Sequence, residues 1–126
     1  MDCGSINLRS IDRCADQNRA KGEAETLVAC FPFSAPLKTS GTWVVGFEKN
    51  EFFEGIPTPP PDVLWREGTG AELLVDDKLF HPTPYIQAYE VDVVGRRALC
   101  PLGVGNPYPI AVEKLSVRRQ IGRMPS

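Results

Sequence analysis

A single histidine, His81, stands among 126 residues, and no two of the four cysteines are spaced C-x-x-C. Those scarcities exclude multi-histidine metal centres, zinc knuckles and thioredoxin-type redox pairs, so neither a metal nor a cofactor is expected. No stretch approaches the ~18 consecutive apolar residues of a spanning helix, so a chain without a membrane span is expected. Charge of one sign does not dominate either: 14 Lys and Arg face 16 Asp and Glu, for a formal net charge of -2. The basic stripe that phosphate-backbone binding needs is therefore missing, which disfavours nucleic acid as a partner. There is no G-x-S-x-G elbow and no Walker pattern, and Gly103-x-Gly105 lacks the third glycine and helix start of a dinucleotide loop. No catalytic set is expected.

What the sequence has in quantity is glycine and proline, 11 and 12 residues. Such a share favours turns and short strands over long helices, and the length fits one domain. Three stretches are distinguished within it: a helix and strand over 1–33 packed on a barrel, the barrel over 34–122, and a tail over 123–126. In residues 8–21, Leu8, Ile11, Cys14 and Ala15 recur at helical spacing, with Gly22 placed as a left-handed cap. Residues 25–31, ETLVACF, read as a strand closed by Pro32.

From Gly41 the period changes to two. Trp43, Val45 and Phe47 share one face, Val44, Gly46, Glu48 and Asn50 the other, and Gly46 marks a bend, a bulge or a close backbone approach. Phe52 and Phe53 are adjacent, so one is core and the other covers a neighbour or sits in a bulge. Residues 56–62, IPTPPPD, form a polyproline-like crossing loop. Val63–Arg66 and Ala71–Val75 read as a hairpin around Gly68-Thr69-Gly70, and Asp76-Asp77 begins a turn. A long strand follows in which Tyr85, Gln87, Tyr89, Val91 and Val93 alternate with Ile86, Ala88, Glu90 and Asp92. Gly95 gives it a turn or bulge and Arg96-Arg97 an exposed exit, and residues 110–117, IAVEKLSV, form the last strand. The sum is a mainly β chain: a small antiparallel OB-like barrel of five or six strands with a short N-terminal helix.

The four cysteines, Cys3, Cys14, Cys30 and Cys100, allow three full pairings if the compartment is oxidising. Cys14 and Cys30 lie on consecutive segments, where a helix folding back on a strand brings them within bridging distance, so they are the favoured disulfide. Cys3-Gly4-Ser5 looks like the start of a mature lipoprotein, which keeps a lipid anchor open.

Few residues offer chemistry. An enzyme would have to use His81 as a base with Glu90 or Asp92, which share one strand face and could together hold a hard cation. An outward polar face accounts for those carboxylates equally well. Trp43, Phe47, Tyr85 and Tyr89 could stack single-stranded bases, although aromatics in small barrels usually fill the core. Arg118, Arg119 and Arg123 crowd the end of the chain, as a solvated strand and tail or as a patch for phosphate or an acidic partner. Tyr85, Tyr89, Arg96 and Arg97 are the candidate binding residues.

The segments SGTWVVGFEKNEFFEG, YIQAYEVDVVGRRALCPLG and IAVEKLSVRR give residues 40–119 a layout that resembles uncharacterised bacterial extracytoplasmic proteins, often lipoproteins, with OB-like barrels. The resemblance rests on barrel architecture, departs at the proline-rich 56–62 segment, and carries no catalytic residues. It implies a periplasmic or secreted, non-enzymatic binding or accessory domain for a protein or small-molecule ligand, with the cytoplasm kept as an alternative. A small hydrolytic enzyme and a single-stranded nucleic-acid module are the competing readings.

Overall fold

The computed structural model describes residues 8–18, 21–46, 49–55, 70–81, 83–102 and 108–124. Within them, helices α1 (Leu8–Gln17) and α2 (Glu23–Cys30) precede strands β1 (Leu37–Gly46), β2 (Lys49–Glu54), β3 (Leu73–Leu74), β4 (Ile86–Arg97) and β5 (Ile110–Met124). The sheet order is β2-β1-β4-β5-β3, antiparallel except where β3 runs parallel to β5. An antiparallel bridge between Phe52 and Ala71 then brings β2 beside the start of β3, so the five strands nearly close on themselves. This is the partly open OB-like barrel that the turn-rich, two-periodic sequence predicts.

Both faces of β1 are buried, for different reasons. Trp43 and Val45 point inward and join Phe52, Leu73, Val91, Val93, Ile110 and Val112 in the main core. Burying each of the larger of these side chains contributes on the order of 1.5–3 kcal/mol. Val44 points outward, where Phe53 and Ala88 make a second cluster with Ile86 and Ile121. Phe52 and Phe53 thus divide as their adjacency requires, one in the interior and one over a neighbouring strand. At Gly46 a side chain would begin 2.3 Å from the Tyr85 carbonyl oxygen, so the glycine marks a close backbone approach.

β5 carries three bulges against β4, at Ala88/Tyr89, Glu90/Val91 and Val94/Gly95. Each inserts one extra residue on β5, respectively Ile121, Arg118 and Glu113. Bulges bend the strand that bears them, which is how one long strand follows the barrel wall.

The N-terminal segment departs from the sequence reading. Residues 25–31 are not a strand: Glu23–Cys30 is helix α2. Its β-branched Thr26 and Val28 are overruled by the helical spacing of Ala24, Leu27 and Val28, which pack on Leu74 and Ala111 of the barrel. Thr26 Oγ1 is also satisfied at the helix start, 2.9 Å from the Gly22 carbonyl and 3.1 Å from the Asn18 carbonyl. Gly22 is correspondingly the N-cap of α2, in extended conformation, rather than the left-handed end of α1, which stops at Gln17. At the other end Phe31 leaves the helix in extended geometry, as the residue before Pro32 must. β5 is longer than expected and runs to Met124. Leu73 and Leu74 pair in parallel with β5 and Ala71 bridges Phe52; Val63–Arg66, and with it the hairpin expected around Gly68-Thr69-Gly70, the 56–62 segment and Phe47 lie outside the described residues.

Candidate functional site

Where α2 lies against the barrel, a groove of about 420 Å³ opens between the helix, the 76–79 turn and the start of β5. Its apolar lining is Ala24, Val28, Ala29, Leu79, Ala111 and Val112. Its rim carries charge of both signs. The Lys78 ammonium donates to Glu25 across the rim; through that hydrogen bond first, the Glu25 carboxyl is held below its ordinary range and the Lys78 ammonium above. The pair is exposed, so it orients the two side chains more than it stabilises the fold.

Asp76 holds the groove in shape. Its carboxylate is buried and accepts from the Ala24 N–H at 3.0 Å, capping α2 from a neighbouring turn. A side chain at Gly22 would begin 2.2 Å from that carboxylate, so glycine there makes room for the cap. The turn itself is closed by Leu79 N–H donating to the Asp76 carbonyl at 2.8 Å. On its far side α2 is tied to α1 by the Cys14–Cys30 disulfide, with Cα atoms 5.6 Å apart, the pairing expected from the sequence. Cys100 is also disulfide-bonded.

The carboxylates expected on one strand face, Glu90 and Asp92, do share it, and they face arginine. Arg118 grips Asp92 with two hydrogen bonds, Nε to Oδ2 at 2.8 Å and Nη2 to Oδ1 at 2.7 Å. It also donates to Glu90 at 3.1 Å, while Arg119 Nε reaches the other Glu90 oxygen at 2.7 Å. Adjacent residues of a regular strand point to opposite faces. The bulge at Glu90/Val91 lets Arg118 and Arg119 serve one face together. Ser40 Oγ donates to Asp92 at 2.5 Å, and the Asp92 carboxyl is held below its usual range by the Arg118 hydrogen bond first and by Ser40 second. Among the described residues no cluster of three metal-ligating side chains forms.

The four candidate binding residues do not converge. Tyr89 is half-buried inside the barrel, where its hydroxyl donates to Gln87 and its ring meets Phe80 at 5.5 Å between centroids. Tyr85 is half-buried just before β4. Arg96 Nε donates to Glu113 at 2.6 Å, and Arg97 pairs with Glu54. Both arginines lie within β4 and are half-buried, not at an exposed exit. Trp43, 2% exposed, meets Phe80 edge-on at 5.0 Å, so these rings pack on one another. His81 is exposed in the segment after the 77–79 turn, and among the described residues no hydrogen bond or ion pair joins it to Glu90 or Asp92.

Reading 25–31 as a strand hid the groove, since it is the helical turn that sets Ala24, Val28 and Ala29 along one wall. Their 3.6-residue spacing was the available signal. At the barrel end beyond Trp43, Glu72 and Glu23 line a smaller cavity of about 110 Å³. Desolvation pushes the Glu72 carboxyl up, and the charge of Glu23 adds to the effect. Among the described residues no helix is long and apolar enough to cross a membrane.

Compared with protein-family models, curated proteins and solved structures, the chain matches none of them.

Proposed function

We propose that this is a non-enzymatic recognition domain working outside the cytoplasm, with its ligand held in the groove between α2 and β5. The observation that carries the reading is the groove itself: an open trough of about 420 Å³ with an apolar floor and a charged rim. Such a lining buries the body of a ligand and orients its polar ends. The other candidate chemistries find their groups already engaged. Glu90 and Asp92 direct their oxygens to Arg118, Arg119 and Ser40, which leaves a hydrolytic pairing with His81 without a carboxylate. Of the rings that would stack bases, Trp43 and Tyr89 pack with Phe80 at the core. The Cys14–Cys30 disulfide supports an oxidising compartment.

The test is a panel of small molecules and peptides followed by backbone amide shifts in labelled protein. The reading requires shifts centred on Ala24, Ala29, Leu79 and Val112 that disappear in Ala29→Trp, where an indole fills the trough. Shifts centred elsewhere that persist in Ala29→Trp overturn it.

A further inference from the structure

β3 leaves β5 almost as soon as it joins it. The two pair through Leu73 with Ile110 and Leu74 with Ala111, whereas β5 continues to Met124. From Val112 onward the edge of β5 that faces away from β4 has no strand beside it among the described residues. Glu113, Lys114 and residues 116–120 are exposed along it, and Val117 is 43% exposed. The α2 groove opens at the point of departure, with Val112 and Glu113 in its wall. A strand edge running out of an apolar trough is the geometry that accepts an added strand, because backbone groups supply affinity while the trough receives alternate side chains.

We propose that the ligand is an extended acidic peptide that pairs with β5 from Val112 onward and continues the place in the sheet that β3 vacates. The proposal rests on the groove reading and names the ligand's class. Charge selects an acidic segment. β5 carries Lys114, Arg118, Arg119 and Arg123 against a single acidic residue, Glu113. Arg118 and Arg119 are matched by Asp92 and Glu90, and Glu113 by Arg96. Lys114, which follows the groove's Glu113 along β5, is left without an ion-pair partner among the described residues, and Lys21 lines the groove itself. A second copy of the chain fits the edge poorly. Two bulged β5 strands cannot follow each other in register, and an antiparallel pairing about Ser116 would set Lys114 against Arg118.

The experiment measures amide hydrogen exchange in the intact disulfide-bonded protein with an end-blocked alternating valine–glutamate peptide, against its valine–lysine counterpart. Strand addition slows alternate amides of β5 beyond Val112 by ~10-fold or more at saturation. Lys114→Glu, on an exposed position, weakens binding of the glutamate peptide by ~10-fold, and Ala29→Trp weakens it as well. Groove shifts without slowing on β5 overturn strand addition while leaving the groove reading intact. No response to the glutamate peptide overturns strand addition alone, and the groove reading then stands or falls on its own ligand panel. Equal affinity for the lysine peptide overturns the acidic selectivity. Slowing that rises with protein concentration in the absence of peptide, together with a doubled mass, assigns the edge to a second copy and overturns the proposal.

Discussion

Asn50 Oδ1 accepts a hydrogen bond from Trp43 Nε1 at 2.8 Å, and the same amide group bonds Leu73 twice. It donates to the Leu73 carbonyl at 2.7 Å and accepts from the Leu73 N–H at 3.2 Å. One side chain on β2 thus stands in for the ladder that the two-residue β3 is too short to form, and closes the barrel beside its largest core residue. Asn50→Ala removes all three bonds and leaves buried polar groups without partners, for an expected loss of about 3 kcal/mol. Denaturant unfolding measures it in a Trp65→Phe background, so that emission reports Trp43. The native emission of Asn50→Ala should also move to the red as water reaches the seam. A loss below about 1 kcal/mol would mean that the seam is held by other contacts.

The grip of Arg118 on Asp92 sets the direction of a pH effect. The folded carboxyl titrates below its ordinary value through the hydrogen bonds from Arg118 and Ser40. Its contribution to stability is therefore fully present above the unfolded value, about 3.9, and drains away as pH falls through the lower folded value. Carboxyl-carbon NMR titration should place the Asp92 midpoint below the usual range, and Arg118→Gln should raise it. Both groups are surface groups, so high salt should also raise it in the unsubstituted protein. An unmoved midpoint in Arg118→Gln would show that the bidentate pair is absent in solution.

Much of the barrel was legible because strand periodicity is a short-range signal. Trp43 and Val45 against Val44, and Tyr89, Val91 and Val93 against Ala88, fall on the faces their spacing predicts, whereas Asn50, expected opposite Trp43, lies on its side because the chain turns back between Gly46 and Lys49. The Cys14–Cys30 pair was legible from segment adjacency. What failed depends on distant partners. Thr26 and Val28 favour a strand locally, yet Asp76, far along the chain, caps this segment as a helix and Leu74 and Ala111 receive its apolar side. The β5 bulges were equally hidden, because nothing in Val117-Arg118-Arg119 announces that the ladder slips there and turns both arginines to one face. The groove needs both α2 and the departure of β3, so no local pattern revealed it.

The disulfide should matter more than its size suggests, because α1 packs chiefly against α2 among the described elements. Cys14 and Cys30 are 16 residues apart in sequence. Closing a loop of that length stabilises a fold by roughly 3 kcal/mol through its effect on the unfolded chain. Cys14→Ser with Cys30→Ser should lower stability by about that amount in denaturant titration and speed amide exchange in α1 first. Thiol labelling under denaturing conditions without reductant should leave Cys14, Cys30 and Cys100 unmodified in protein taken from its native compartment. Labelled Cys14 or Cys30 there would remove the structural argument for an oxidising compartment.

Thr42 gives the opposite kind of test, a substitution expected to stabilise. It sits on β1 across from Phe53 and Glu90, fully buried, and its Oγ1 has no hydrogen-bond partner among the described residues. A buried hydroxyl without a partner forfeits its hydration, at a cost of about 1–3 kcal/mol. Valine keeps the β-branched shape that suits a strand and replaces the hydroxyl by a methyl group, which fits beside the outward cluster of Val44, Phe53 and Ala88. Thr42→Val should therefore raise the denaturation midpoint by an amount worth about 1 kcal/mol, with no change in the denaturant slope. Thr42→Ser, which keeps the hydroxyl and opens a methyl-sized gap, should lower it. If Thr42→Val is instead destabilising while Thr42→Ser is neutral, the hydroxyl makes a bond in solution and the outer face of β1 is wetter than its packing implies.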